Sequence, residues 1–170
     1  MPEIATTEDP TVSSPKGKIL VIDDEADIRE SLDALLSLEG YEVDLAANGT
    51  DGTKRLESHV YDLVLLDLMM PDRSGMDVLR DVRDRDRETP IFMITAFGST
   101  ETAVHALKLG ANDYFTKPWE NDKLLIEIDR TIAERRLLYE NTHLKRASSS
   151  ATVFPTSSGK ASVCCACLTW

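Results

Sequence analysis

Residues 62–75 read DLVLLDLMMPDRSG, with four apolar residues, 63–66, standing unbroken before Asp67. A strand with one face in water alternates apolar and polar side chains; an unbroken apolar run needs cover on both faces, as inside a parallel sheet. The run therefore predicts a central strand that ends on a carboxylate. A helix start follows it: Ser74 with Asp77 three positions on resembles a capping box, and Met76, Leu79 and Val82 give the helix an inward face.

Outward from this stretch the same strand-then-helix pattern recurs. Residues 19–22 are apolar and lead to Ile28, Leu32, Leu35 and Leu36 at helical spacing, closed by Gly40. Tyr41, Val43 and Leu45 alternate with polar residues as an edge strand does, and a short helix opens near Thr50. Residues 91–94 repeat the buried run, a helix over residues 100–109 stops at Gly110, a short strand covers residues 113–115, and the last helix starts near Trp119. Five such pairs in about 125 residues predict an α/β domain, a doubly wound five-stranded parallel sheet. Right-handed crossovers put helices on both of its faces.

Composition sets the outer limits. A chain of 170 residues, 42% apolar, holds one globular domain with flexible ends and leaves no room for a second. The net charge of −11 opposes nucleic-acid and acidic-lipid surfaces, which demand clustered Lys and Arg. No apolar run approaches a membrane span, and the N-terminus lacks the basic-then-apolar layout of a signal peptide. A cytoplasmic protein with no membrane and no direct nucleic-acid contact is expected. Cys164, Cys165 and Cys167 crowd into the last seven residues, so the folded region is expected to carry no thiol chemistry. His59, His105 and His143 stand apart and read as surface side chains.

Residues 1–16, rich in Thr, Ser, Pro and Glu, are expected to form a disordered leader. Residues 17–136 form the domain, 137–146 a helical linker extension and 147–170 a disordered tail. The tail changes composition abruptly, with Lys160 its only charge. It reads as the product of a shifted reading frame, since back-translating residues 154–160 permits FSNIIGK in the neighbouring frame. A vector-derived or low-complexity tail is the alternative, and sequencing the coding DNA separates the two. On the shifted-frame reading the cysteines are accidents of codon phase, and no nearby histidine or second cysteine pair supports a zinc site.

The ligand site of an open parallel sheet lies beyond the carboxyl ends of its strands. Here the first strand ends in Asp23-Asp24, the third in Asp67 and the fourth in Thr95, and the fifth runs into Lys117-Pro118. Three converging carboxylates repel one another unless a cation sits among them, and hard oxygen ligands suit Mg²⁺. Thr95 offers a hydroxyl, and Lys117 an ammonium, to an anion held against that metal. The set makes a site for phosphoryl transfer onto a carboxylate. Taken singly, each residue has a plainer reading: the Asp pair a solvated turn, Thr95 a helix cap, Lys117 a solvated charge, Tyr114 half-buried packing. Their arrival at one end of successive strands is what weighs against those readings. Met69 and Phe97, bulky and apolar beside Asp67 and Thr95, read either as packing or as shields of an acyl phosphate from water.

The segments KILVIDDE (18–25), DLVLLDLMMPDRSG (62–75), PIFMITAFG (90–98) and DYFTKPW (113–119) resemble the signature segments of the response-regulator receiver family of bacterial two-component systems. The resemblance covers roughly residues 18–136. It implies a flavodoxin-like sheet of strand order 2-1-3-4-5 and phosphorylation of Asp67 by a sensor histidine kinase. It further implies Mg²⁺ held by Asp23, Asp24, Asp67 and the main-chain carbonyl of Met69, a phosphoryl-binding pair in Thr95 and Lys117, a switch in Thr95 and Tyr114, and a cis Lys117–Pro118 bond. The implied activity is a module that catalyses only its own phosphorylation and slow autodephosphorylation, in the service of transcription regulation.

The last helix runs on through AERRLLYENTHLKR, residues 133–146. This extension resembles the receiver-to-ATPase linker of enhancer-binding, NtrC-type activators, and the shifted-frame peptide resembles the start of such an ATPase domain; with no phosphate-binding loop in these 170 residues, the output domain is expected to be missing from them. A homodimer through the last helix is one expectation: Leu125, Ile128, Ile132 and Tyr139 fit a heptad loosely, with Arg135 at a seam position. Two other readings differ in kind. A haloacid-dehalogenase-type phosphatase also uses an aspartyl phosphate and Mg²⁺, but needs its nucleophile and acid two residues apart, which Asp23-Asp24-Glu25-Ala26 does not supply. A receiver-like module that binds its partner without phosphorylation is opposed by the intact site positions.

Overall fold

Apolar side chains alternate between the two faces of the sheet, and this alternation assigns each helix its face. The computed structural model describes residues 15–96 and 98–149, with side chains through Tyr139. In chain order the elements are β1 (Lys18–Ile22), α1 (Ala26–Leu38), β2 (Glu42–Ala46), α2 (Gly49–Ser58), β3 (Leu63–Asp67), α3 (Gly75–Arg85), β4 (Ile91–Thr95), α4 (Thr100–Leu109), β5 (Asp113–Thr116) and α5 (Asn121–Ser149). The strands are all parallel in the order β2-β1-β3-β4-β5.

Leu20, Ile22, Val64, Leu66, Ile91 and Met93 point to one face, where Val78, Leu79 and Val82 of α3 and Ala106 of α4 cover them. Ile19, Val21, Leu63, Leu65, Phe92, Ile94 and Phe115 point to the other, under Leu32 and Leu36 of α1 and Leu124, Ile128 and Ile132 of α5. Every residue of β3 is buried, as its unbroken apolar run requires. Each fully buried Leu or Ile contributes about 1.5–3 kcal/mol, so these two layers hold the strands in register against the repulsion at their carboxyl ends. The register puts Asp67 opposite Ile94 and Leu66 opposite Ile22, so that Asp23, Asp67 and Thr95 follow one another across adjacent strands.

Several details depart from the sequence reading. Ser74 caps α3 by accepting from the Met76 amide, but Asp77 does not close a box. Its short side chain pairs instead with Arg80, three residues along the helix. α5 begins at Asn121, not near Trp119, its first turn closing with the Leu124 amide on the Glu120 carbonyl. It runs to Ser149, three residues past Arg146, through Ala147, a strong helix former. Ile128 and Ile132 are core residues under the sheet, so they cannot also form an interhelical seam; of the four heptad candidates Tyr139 is the one that is exposed. Lys16 belongs to the fold and not to a leader: its amide donates to the Gly40 carbonyl and its ammonium lies over the Tyr41 ring.

The chain divides into two compact units between Arg135 and Arg136. Among the described residues no helix is long and apolar enough to cross a membrane. The expectations for residues 1–14, for Phe97 and for the tail over residues 150–170 lie outside the described residues.

Candidate functional site

The turn after β1 is built around Asp23. Its carboxylate accepts from the Glu25 amide at 2.9 Å, and its carbonyl accepts from the Arg29 guanidinium on α1 at 2.6 Å. Asp23 is 2% exposed and Asp67 4%, whereas Asp24 is open to solvent. Oxygens of all three carboxylates lie within 4.8 Å of one another. Asp67 is further held by the Leu68 amide, which donates to its Oδ1 at 2.9 Å. Behind it, α3 starts so close that a Cβ on Gly75 would stand 2.1 Å from the Asp67 carbonyl oxygen. A side chain there has no room, which explains the glycine at the first position of α3.

Lys117 enters from the end of β5, its amide donating to the Thr95 carbonyl at 2.7 Å, and the Lys117–Pro118 peptide is cis. Its ammonium donates to Asp23 Oδ2 at 2.7 Å and to Glu25 Oε1 at 2.9 Å, and stands 3.7 Å from Asp67 Oδ1. One lysine thus faces three acids. Burial, then the neighbouring Asp23 charge, push the Asp67 carboxyl up to about 6, against the pull of Lys117 and of the Leu68 and Met69 amides. Burial opposes the Lys117 ammonium, but hydrogen bonds to Asp23 and Glu25, with the charges of Asp23 and Asp67, leave it above its ordinary value.

Thr95 ends β4 fully buried. On β5, the Tyr114 hydroxyl is buried with no hydrogen-bond partner among the described residues. It lies 3.2 Å from where a Cβ of Gly98 would stand, so the bare glycine leaves it space. Met69 is 62% exposed at the mouth of the site. The three carboxylates and Lys117 come together as the strand ends suggested. Glu25 was missed as a partner of Lys117: it stands in the KILVIDDE segment, but nothing in the sequence says which acid a lysine 92 residues away will choose.

The donor set fits Mg²⁺: three carboxylates, two of them buried, with a charge excess that one lysine does not cancel. The arrangement offers a nucleophilic carboxylate, a cation and space for an anion at one point, the elements of phosphoryl transfer.

The family described as Response regulator receiver domain matches residues 19–129. The transcriptional regulatory protein DltR of Streptococcus agalactiae serotype III is 47% identical over 124 residues, covering 73% of this chain and 55% of that protein. The regulatory protein AtoC of Escherichia coli is 34% identical over 134 residues, 79% of this chain and 29% of that protein. Among solved structures, NtrX from Brucella abortus in complex with ADP superposes with a TM-score of 0.71 at 32% identity, covering 78% of this chain and 30% of that one. A CheY-like receiver domain protein from Methanospirillum hungatei gives 0.67 at 32% identity, over 70% of this chain and 95% of that one. The chain spans about half the length of DltR and less than a third of AtoC. Receiver domains of transcriptional regulators are in general signalling modules, not enzymes; they bind Mg²⁺ at an acidic pocket, and response regulators are phosphorylated by sensor histidine kinases. With five parallel strands, the acid cluster at their carboxyl ends and this match over residues 19–129, the chain belongs to the response regulator receiver family.

Proposed function

We propose that Asp67 is the phosphoacceptor of this receiver, taking its phosphoryl group from a sensor histidine kinase. The observation that carries the reading is the cluster of Asp23, Asp24 and Asp67, with Lys117 3.7 Å from the acceptor. Asp23, Asp24, Asp67 and the Met69 carbonyl would hold Mg²⁺, which supplies positive charge to a phosphoryl group in transfer. An Asp67 oxygen forms the new P–O bond as the P–N bond of the donor histidine breaks, and the imidazole leaves with the electron pair. Lys117, already above its ordinary pKa, remains an ammonium and turns from Asp23 and Glu25 toward the phosphoryl oxygens. The Thr95 hydroxyl donates to a second oxygen, and Tyr114, whose hydroxyl has no partner among the described residues, completes the switch with it.

By this reading the chain catalyses only its own phosphorylation and slow dephosphorylation, and its output is a changed contact with a partner or output domain that regulates transcription. A second copy docking through α5 would use the exposed Leu137, Leu138 and Tyr139, since Ile128 and Ile132 are core. Incubation with acetyl phosphate and Mg²⁺ tests the reading: mass spectrometry should find one added phosphoryl group, absent from Asp67→Asn. Labelling that survives in that variant moves the acceptor elsewhere, and continuous consumption of acetyl phosphate would return the phosphatase reading.

A further inference from the structure

The loop joining β3 to α3 carries Met69 at one end and Asp72 at its tip, and the tip is fastened to a different helix. The Asp72 carboxylate accepts from the Gly49 amide at 3.2 Å, the Thr50 amide at 2.9 Å and the Thr50 hydroxyl at 2.9 Å. The next amide of α2, that of Asp51, donates to the Asn48 side chain at 2.7 Å, and the Gly52 amide makes the first in-helix bond, to the Asn48 carbonyl at 3.0 Å. All the open donors of the first turn of α2 are therefore satisfied, two of them by a residue from the loop of the acceptor. Burial is the largest single influence on the Asp72 carboxyl and pushes it upward, but the Thr50 amide and hydroxyl with the Gly49 and Arg73 amides together outweigh it and hold the group down at about 2, so it is an anion at the positive end of α2 throughout the ordinary pH range.

The contact is also a steric fit. A Cβ on Gly49 would stand 2.8 Å from Val78 Cγ2, 3.3 Å from Met70 Cε and 3.4 Å from Arg73 Cβ, so the start of α2 is seated directly on the loop. Only Met70 and Pro71 separate Asp72 from Met69, and the proline ring fixes one of the few rotatable bonds between them. A shift of the tip therefore reaches Met69 with little slack.

We propose that Asp72 is a positioning residue of the metal site: by gripping the first turn of α2 it fixes the loop that presents the Met69 carbonyl. The inference rests on the reading that the Asp67 site binds Mg²⁺. It makes α2 part of the site's support, although α2 contributes no carboxylate to the acid cluster. Removing the grip bares two amides of α2 and frees the loop tip; the local structure survives on the Arg73–Asp81 and Gly75–Leu68 bonds, but the carbonyl loses its fixed place.

The test uses the whole chain, with Mg²⁺ as the probe, titrated calorimetrically and followed by amide hydrogen exchange. Asp72→Ala should weaken Mg²⁺ about tenfold, as loss of an outer-shell support does elsewhere, while Asp72→Asn, which keeps an acceptor oxygen, stays within about threefold of wild type. Mg²⁺ should slow exchange at the Thr50 amide in wild type and leave it unchanged in Asp72→Ala. An Asp72→Ala protein that melts lower yet binds Mg²⁺ as tightly as wild type makes Asp72 a helix cap alone and overturns the proposal. Should that variant fail to fold, Thr50→Val, which removes only the hydroxyl donor, decides: weakened Mg²⁺ binding supports the grip, unchanged binding overturns it. Wild type that binds no Mg²⁺, or binds it equally after Asp67→Asn, overturns the site itself and this proposal with it, a failure visible before any Asp72 variant is measured.

Discussion

The two ends of the sheet handle charge in opposite ways. Toward the amino ends of the strands, Lys18 lies between Glu42 at 2.7 Å and Asp44 at 3.2 Å, and the Tyr61 hydroxyl donates to Asp44 at 2.8 Å. Burial acts on the Asp44 carboxyl in the upward direction, but the Tyr61 hydrogen bond and Lys18 outweigh it and hold the group below its ordinary value. At the carboxyl ends the balance fails: Asp67 is pushed up to about 6, and its one cation is shared with Asp23 and Glu25. Similar residue types give a closed network at one end and an open one at the other. The open end is the one that requires a ligand from outside the chain.

Lys117→Met should break the comparison most severely. It leaves Asp23 and Asp67 buried without the ammonium they share, and in chelator at pH 8 should cost about 3 kcal/mol of stability by urea unfolding. A loss under about 1 kcal/mol would mean that the carboxylates are neutralised some other way. Asp67→Asn acts in the opposite direction. A carboxyl whose folded pKa is raised from 3.8 to about 6 stabilises the fold fully below the lower value and loses that contribution as pH climbs through the higher one. At pH 8 in chelator the neutral variant should therefore exceed wild type by on the order of 1–3 kcal/mol, with the gain vanishing near pH 4. Melting below wild type at pH 8 would contradict the charge excess, in which Asp23, Asp24 and Lys117 are the groups facing Asp67. The closed end should respond least. Asp44→Ala removes one hydrogen-bonded carboxylate and should cost about 1 kcal/mol at neutral pH. Because the folded pKa of Asp44 is depressed, that deficit should shrink as pH falls below 3.8. Its thermal shift with Mg²⁺ should match wild type; a lost Mg²⁺ response would show that the two ends are coupled.

Most of the architecture was legible because burial leaves periodic marks. The unbroken run in β3 and the alternation in β2 named the central and edge strands before any contact was known. The Ser74 cap and the stop at Gly110 placed the start of α3 and the end of α4 to within a residue. The site was legible to the same depth: strand order turns positions 23, 67 and 95 into neighbours. Partner choice was not. Glu25 and Asp72 are ordinary acids in acidic turns, and only the folded chain brings the first to Lys117 and the second to α2. The heptad failed for a related reason. Apolar spacing on α5 records that one face is covered, not by what, and the cover is the sheet.

The glycine at the start of α3 sets a clearance. With no Cβ, Gly75 lets the helix rest against the backbone of the acceptor, 2.1 Å being the gap a methyl group would have to enter. That helix is packed against the sheet, its Val78 and Leu79 fully buried. Strand and helix thus meet backbone to backbone, like two beams bolted without a spacer, and any side chain at position 75 would have to lift α3 off the end of β3 before it could be housed.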